Sequence, residues 1–175
     1  MRTLAKLGII ALVDEATGYQ DVRARDALAK ILETFIAKEL QQWTRTFPIE
    51  FYQRMCELKG WGFNPEKWQG PRRLAQLTND VVYRRLVPGV LEELRKKNPV
   101  VDGRRKSRLF QWLTGEIGHP KLLAHLEGVK IVMRESNSWD EFESKLDRHY
   151  PITETTELGF HVTLSKKPKH RATSA

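Results

Sequence analysis

Cysteine is nearly absent: Cys56 stands alone in a chain of 175 residues. A single thiol forms no internal disulfide and no cysteine zinc centre, and its presence suits a reducing cytoplasm. Long apolar runs are missing too, and none approaches the roughly 20 residues that a membrane-spanning helix needs. The opening stretch from Met1 to Val13 is apolar, but Lys6 interrupts it and no small-residue cleavage site follows before Asp14-Glu15. It reads as a core helix rather than a secretory signal. No internal repeat is visible. Converging metal ligands are also lacking. His119 and His125 fall six residues apart, whereas neighbours on one helical face come three or four apart. Asp14-Glu15, with Thr17 and Tyr19, is the other polar group in which a Mg²⁺-dependent nuclease centre would be sought, and only Asp21 and Asp26 lie near enough in sequence to complete it. These acids fit better as the end of one helix and the turn into the next, with Gly18 as the stop. The chain is therefore expected to be no enzyme. No cofactor, metal or small-molecule substrate is indicated.

What is present is helical periodicity. Hydrophobic residues make up 40% and charged residues 30%, an ordinary globular balance. Over 22–43, Leu28, Ile31, Leu32, Phe35, Ile36, Leu40 and Trp43 recur at steps of three and four, predicting one long amphipathic helix. Thr46 before Pro48 predicts a second start, with Phe51, Tyr52, Met55 and Leu58 inward and Gly60 as the stop. Gly60, Gly62, Asn64-Pro65 and Gly70-Pro71 make 60–71 a loop. Its Trp61, Phe63 and Trp68 are read as pins onto the core, the alternative being a stacking platform for unpaired bases. Helices follow over 72–86, 88–97 and 104–115. Another restarts at Pro120, where Leu122, Leu126, Val129 and Met133 step by four, three and four. Ser138 and Glu141 form a capping box for the last helix, which carries Trp139, Phe142 and Leu146 inward. Gln111 and Thr114 read as partly buried polar anchors, and Cys56 as an inert core thiol. The predicted fold is a mainly α domain over 1–151, with about six to eight helices. A small β-hairpin over 152–164 follows, on the alternation of Leu158, Phe160, Val162 and Leu164, and then a disordered basic tail over 165–175.

Charge is unevenly spread. Residues 61–117 hold twelve basic and six acidic groups, and so carry six of the net eight positive charges. Clustered charge makes the strong local field that a polyanion responds to. The candidate phosphate contacts are Arg104, Arg105, Lys106 and Arg108, behind the turn Asp102-Gly103, with Arg84-Arg85 and Arg72-Arg73 as extensions. The first four are expected at a helix start, where exposed cations oppose the dipole by roughly 0.3–1 kcal/mol each unless an anion is bound. The plainer role for the first four is a solvated loop or ion pairs to Glu92 and Glu93, and for Arg84-Arg85 and Arg72-Arg73 the polar side of amphipathic helices.

Several segments, in order, resemble one family: Gly8 to Gln20 (GIIALVDEATGYQ), Trp43 to Pro48 (WTRTFP) with Phe51-Tyr52, Thr78-Asn79-Asp80 with Tyr83, Pro88 to Leu94 (PGVLEEL) ending at Asn98-Pro99, Gln111 to Thr114 (QWLT), and Gly118 to Leu122 (GHPKL) with His125-Leu126. Together they are similar to the C-terminal domain of phage antirepressor-type regulators, the P-sixty-three-C domain family, over about residues 8–151. The resemblance implies a phage or prophage protein associated with transcriptional regulation, and it brings no catalytic residues. In that family a His commonly precedes the glutamine; Phe110 stands there in this chain, so no acid–base role falls to that position. A first helix beginning almost at Met1, with no room for a cap, fits the tail module of a longer protein. The expected partner is nucleic acid. A protein partner or a second copy of the chain is the alternative.

Overall fold

The computed structural model describes residues 19–64, 66, 71, 73–156 and 159–162. The expected helix over 1–13, the acids Asp14 and Glu15, Trp68, Arg72 and the tail 165–175 lie outside these.

Helix α1 (Tyr19–Phe35) buries Leu28 and Phe35, with Leu32 packed beside them, one stripe at i, i+4 and i+7. It stops at Phe35 instead of continuing to Trp43. After Ile36, whose N–H still donates to Leu32 O, the backbone leaves helical bonding and pairs with a distant segment. Ala37 N–H donates to Trp112 O (2.8 Å), Gln41 N–H donates to Gln111 O (2.8 Å), and Thr114 N–H donates to Phe35 O (2.9 Å). The periodicity of Leu40 and Trp43 is thus not a buried face: they are 50% and 63% exposed.

Helix α2 (Ile49–Lys59) follows the extended Pro48 and buries Phe51, Met55, Cys56 and Leu58. Gly60 ends it in the left-handed region at φ 66°, as its lack of a Cβ permits, and Gly60 and Trp61 donate to Glu57 O and Cys56 O. Next come α3 (Leu74–Thr78), a π-helical turn (Asn79–Tyr83) and α4 (Arg84–Leu86). The wider turn buries three consecutive residues, Val81, Val82 and Tyr83, which no regular α-helical stripe would do.

Helix α5 (Val90–Lys97) buries Val90, Leu91 and Leu94. Strands β1 (Val100–Val101) and β2 (Arg104–Arg105) form an antiparallel hairpin, followed by a 3₁₀ turn (Leu109–Trp112). This replaces the single helix expected over 104–115.

Helix α6 (Gly118–Arg134) carries Leu122, Leu126, Val129 and Met133 into the core, as their spacing requires, together with His125 and Val132. It begins two residues before Pro120, since a first-turn proline forfeits no helical bond. Helix α7 (Trp139–His149) is capped by Ser138, whose Oγ accepts from Glu141 N–H at 3.2 Å. Glu141 reaches back to Asn137 N–H at 2.8 Å, one residue before the cap. Strands β3 (Thr153–Thr156) and β4 (Gly159–Val162) pair antiparallel, Thr153 opposite Val162, and β4 lies against α1.

One core joins these elements. Phe47, in the extended segment before α2, sits 5.7–6.2 Å from the rings of Phe51, Tyr52, Tyr83 and Phe110, linking α2, the π turn and the 3₁₀ turn. Among the described residues no helix is long and apolar enough to cross a membrane.

Candidate nucleic-acid interface

Residues 95–108 carry seven cationic side chains and one acidic one. Arg95, Lys96 and Lys97 end α5, where cations favour the negative pole of the helix. Asn98 is buried and ties the helix end to the hairpin beyond it. Its N–H donates to Leu94 O, its Nδ2 donates to Ser107 O at 2.7 Å, and its own carbonyl accepts from the Arg105 guanidinium. Pro99 then leads into β1.

The turn is Asp102-Gly103, with φ of 50° and 74°. Positive φ at both central positions is the two-residue geometry that matches strand twist, and Asp-Gly satisfies it at little cost. Val101 faces Arg104 and Val100 faces Arg105. Alternation puts Val101 and Arg104 on one face of the ribbon, and Val100 and Arg105 on the other. Both valines are about half exposed, Val100 at 55% and Val101 at 47%. The base of the ribbon is held on its far side by Trp112 Nε1 donating to Ser107 Oγ (3.0 Å) and Arg108 N–H donating to Gln111 Oε1 (2.9 Å). Because Arg104, Arg105 and Lys106 sit on the hairpin and its exit and not at a helix N-terminus, the unfavourable dipole term expected for them does not arise; Arg108 precedes only the four-residue 3₁₀ turn.

The eight candidate residues fall into distinct places. Arg104, Lys106 and Arg108 are exposed on the ribbon or at its base. Arg105 is half-buried and turned back to Asn98. Arg84 pairs with Asp80 one turn earlier (3.2 Å). Arg85 is interior: its side chain is 5% exposed, pairs with Asp147 at 2.7 Å, and donates to Asp80 O and Tyr150 O. Its guanidinium therefore faces the protein rather than a ligand. Arg73 is exposed just before α3, on a cleft away from the ribbon's own strands. Arg72 lies outside the described residues. Glu93 pairs with Lys96 on its own helix, not with the ribbon. Among the described residues no carboxylate pairs with Arg73, Arg95, Lys97, Arg104, Lys106 or Arg108.

The remaining polar candidates serve the fold. His119 Nε2 lies 3.1 Å from Thr46 Oγ1. His125 is buried edge-on to Tyr150, with Nε2 3.3 Å from Val81 O in the π turn. Burial lowers its pKa, as does nearby Arg85, against the opposing pull of the Val81 carbonyl. Tyr52 is pushed up to about 12 by burial and Tyr83 is raised further, so both are neutral hydrogen-bonding groups. Cys56 is fully buried and its thiol is raised by desolvation, which suppresses the thiolate. Among the described residues no group of three or more His, Cys, Asp or Glu is placed to hold a metal ion.

The family model for the P-sixty-three-C domain matches residues 31–122, just over half of the chain. The chain belongs to the P-sixty-three-C domain family. No curated protein and no solved structure matches it. The family match runs from the last turn of α1 to the first turn of α6, so it contains the extended segment, the π turn and the whole basic ribbon. It leaves out α7 and the C-terminal hairpin, although the resemblance in sequence runs on to about residue 151.

Proposed function

We propose that this P-sixty-three-C domain is a non-catalytic regulatory module of phage type that contacts nucleic-acid phosphates through the β1–β2 ribbon and the adjoining end of α5. What supports the reading is the concentration of exposed cations on one short, internally braced element, with Asp102 at its tip as the single acid. A two-stranded ribbon has the width to enter a major groove, and Arg104, Lys106 and Arg108 supply phosphate-directed donors. In this reading the exposed ribbon cations are directed at phosphate, so contact is with the backbone and register on the duplex is set elsewhere.

The test is fluorescence anisotropy with labelled duplex DNA at graded salt. Each phosphate contact contributes about 0.9 to the slope of log K against log[salt], so the Arg104→Ala/Lys106→Ala/Arg108→Ala variant is expected to flatten the slope by up to about three. Identical slopes for variant and wild type would remove the ribbon from the mechanism.

A second reading rests on a separate observation. Trp43 and Leu40 stand out from the extended segment after α1, a rare placement for a large indole on an isolated domain. In that reading the domain captures a protein or a second copy of itself through this segment. Light scattering over a wide concentration range, with Trp43→Ser as control, reports any self-association it causes.

A further inference from the structure

We infer that the cleft between the end of α2 and the start of α3 binds a nucleoside phosphate. The cleft holds about 360 Å³, inside the roughly 300–1,000 Å³ range of small-molecule sites. Its charge is decided by Arg73 from the loop before α3 and Arg95 from α5, both exposed and neither paired with a carboxylate among the described residues. Lys59 adds a third cation, with its ammonium 3.9 Å above the Trp139 ring. The one acid in the lining, Asp80, is neutralised by Arg84 at 3.2 Å. Two guanidinium groups brought from separate elements to one concavity match a phosphate, which accepts forked donation from both.

Charge alone would suit any anion. The rest of the wall selects for a base. Trp61 and Leu77 supply apolar surface for a planar ring, and an indole is the strongest stacking partner a side chain offers. Gln76 and Asn79 each carry both a donor and an acceptor, as a base edge requires. Asn79 and Asp80 belong to the π turn, a backbone distortion that recurs at ligand sites. In sequence the site is invisible, because the lining comes from three separated stretches, 59–61, 73–80 and 95, none of which carries a phosphate-binding motif.

The cleft shares Arg95 with the basic end of α5 but none of the ribbon's own residues, so Arg73, which belongs to the cleft alone, lets the two readings fail separately. A free nucleotide and an unpaired nucleotide of a single strand share the same chemistry. The experiment uses the full chain labelled with ¹⁵N, with the Trp61 indole N–H assigned by its loss in Trp61→Phe. Inorganic phosphate, adenosine monophosphate, an oligothymidylate and a duplex are titrated in turn. Adenosine monophosphate is expected to shift the Trp61 indole and the Gln76 and Asn79 side-chain amides, more strongly than phosphate does. Arg73→Ala and Arg95→Ala should each weaken binding by about tenfold or more, the loss of one charge-assisted contact. Both positions are exposed, and melting curves confirm that the variants fold. Lys38→Ala, at an exposed cation outside both the cleft and the ribbon, should leave it unchanged. Shifts with the oligothymidylate but not with the mononucleotide would assign the source to a single strand. No shift at these residues with either probe at about 1 mM, an affinity weaker than roughly −4 kcal/mol, overturns the proposal. So does binding that survives Arg73→Ala and Arg95→Ala. Duplex binding that perturbs the ribbon and spares the cleft overturns it too, while leaving the ribbon reading intact.

Discussion

Arg84 and Arg85 are adjacent in sequence and identical in chemistry, yet the π turn sends one to the surface side of Asp80 and the other inward to Asp147. Truncating the interior one removes the partner of Asp147 and the side-chain donors to Asp80 O and Tyr150 O. Arg85→Ala is therefore expected to cost about 3 kcal/mol in urea unfolding, as removal of one partner from a buried pair does. Arg84→Ala should cost less than Arg85→Ala, because its i, i+4 pair with Asp80 is partly exposed to water. His125 gives a pH signature. Its folded pKa lies below the ordinary 6.5, so the unfolded chain takes up a proton that the folded chain resists. Stability is whole above about 6.5 and falls as the pH drops through the window below it. The thermal midpoint should decline as the pH falls from about 6.5 to about 5.5, and His125→Gln should flatten that decline; equal slopes would exclude His125 as its source. Glu141, also lowered, by the Asn137 amide and Lys145, acts only below its usual 4.5. At this scale the Ser138 cap was legible because Glu141 lies three positions on, whereas the anchoring roles of Gln111 and Thr114 were signalled by residue type alone, their partners Gln41 and Thr34 lying 70 and 80 positions away. The sequence could not separate Arg85 from Arg104, since burial of a guanidinium depends on a carboxylate 62 positions along the chain.

Among the elements, helices α2, α5, α6 and α7 were legible because their core contacts repeat at helical spacing. Two elements were misread for the same reason: long-range pairing overrode a local pattern. The stripe past Phe35 continues in sequence, but residues 36–41 find better bonds on the segment 111–114. Residues 104–108 look like a helix start behind a turn, but Asp102-Gly103 in positive φ closes a hairpin on the β-branched Val100-Val101. The turn geometry yields a prediction. Gly103→Ala places a Cβ at φ 74°, costing about 1–2 kcal/mol locally. Hydrogen exchange should speed up in the ribbon while the core amides keep their protection; a global loss of protection would mean that the ribbon is part of the core unit. Gly118 is constrained differently. A Cβ there would lie 2.3 Å from Phe35 O and 3.0 Å from Leu113 Cβ. Gly118→Ala is accordingly expected to lower stability by about 1–3 kcal/mol, readable as a shifted denaturation midpoint.

For the molecule as a whole, the mainly helical class followed from periodicity, and the family from ordered segments that no single stretch would have carried. Among the described residues of the middle third, the exposed cations gather in two places, the ribbon and the cleft, joined through Arg95 in α5, while Arg84 and Arg85 pair with Asp80 and Asp147. The overall arrangement also hangs on one hydroxyl. Thr114 Oγ1 donates to Thr34 O at the end of α1 (2.6 Å) and accepts from Gly118 N–H at the start of α6 (2.9 Å). Two helix ends, 84 residues apart along the chain, thus share a single atom as their common stop. Neither helix can gain or lose a residue at that junction without unseating the other. Length variation between relatives should accordingly gather in the loops and spare this point.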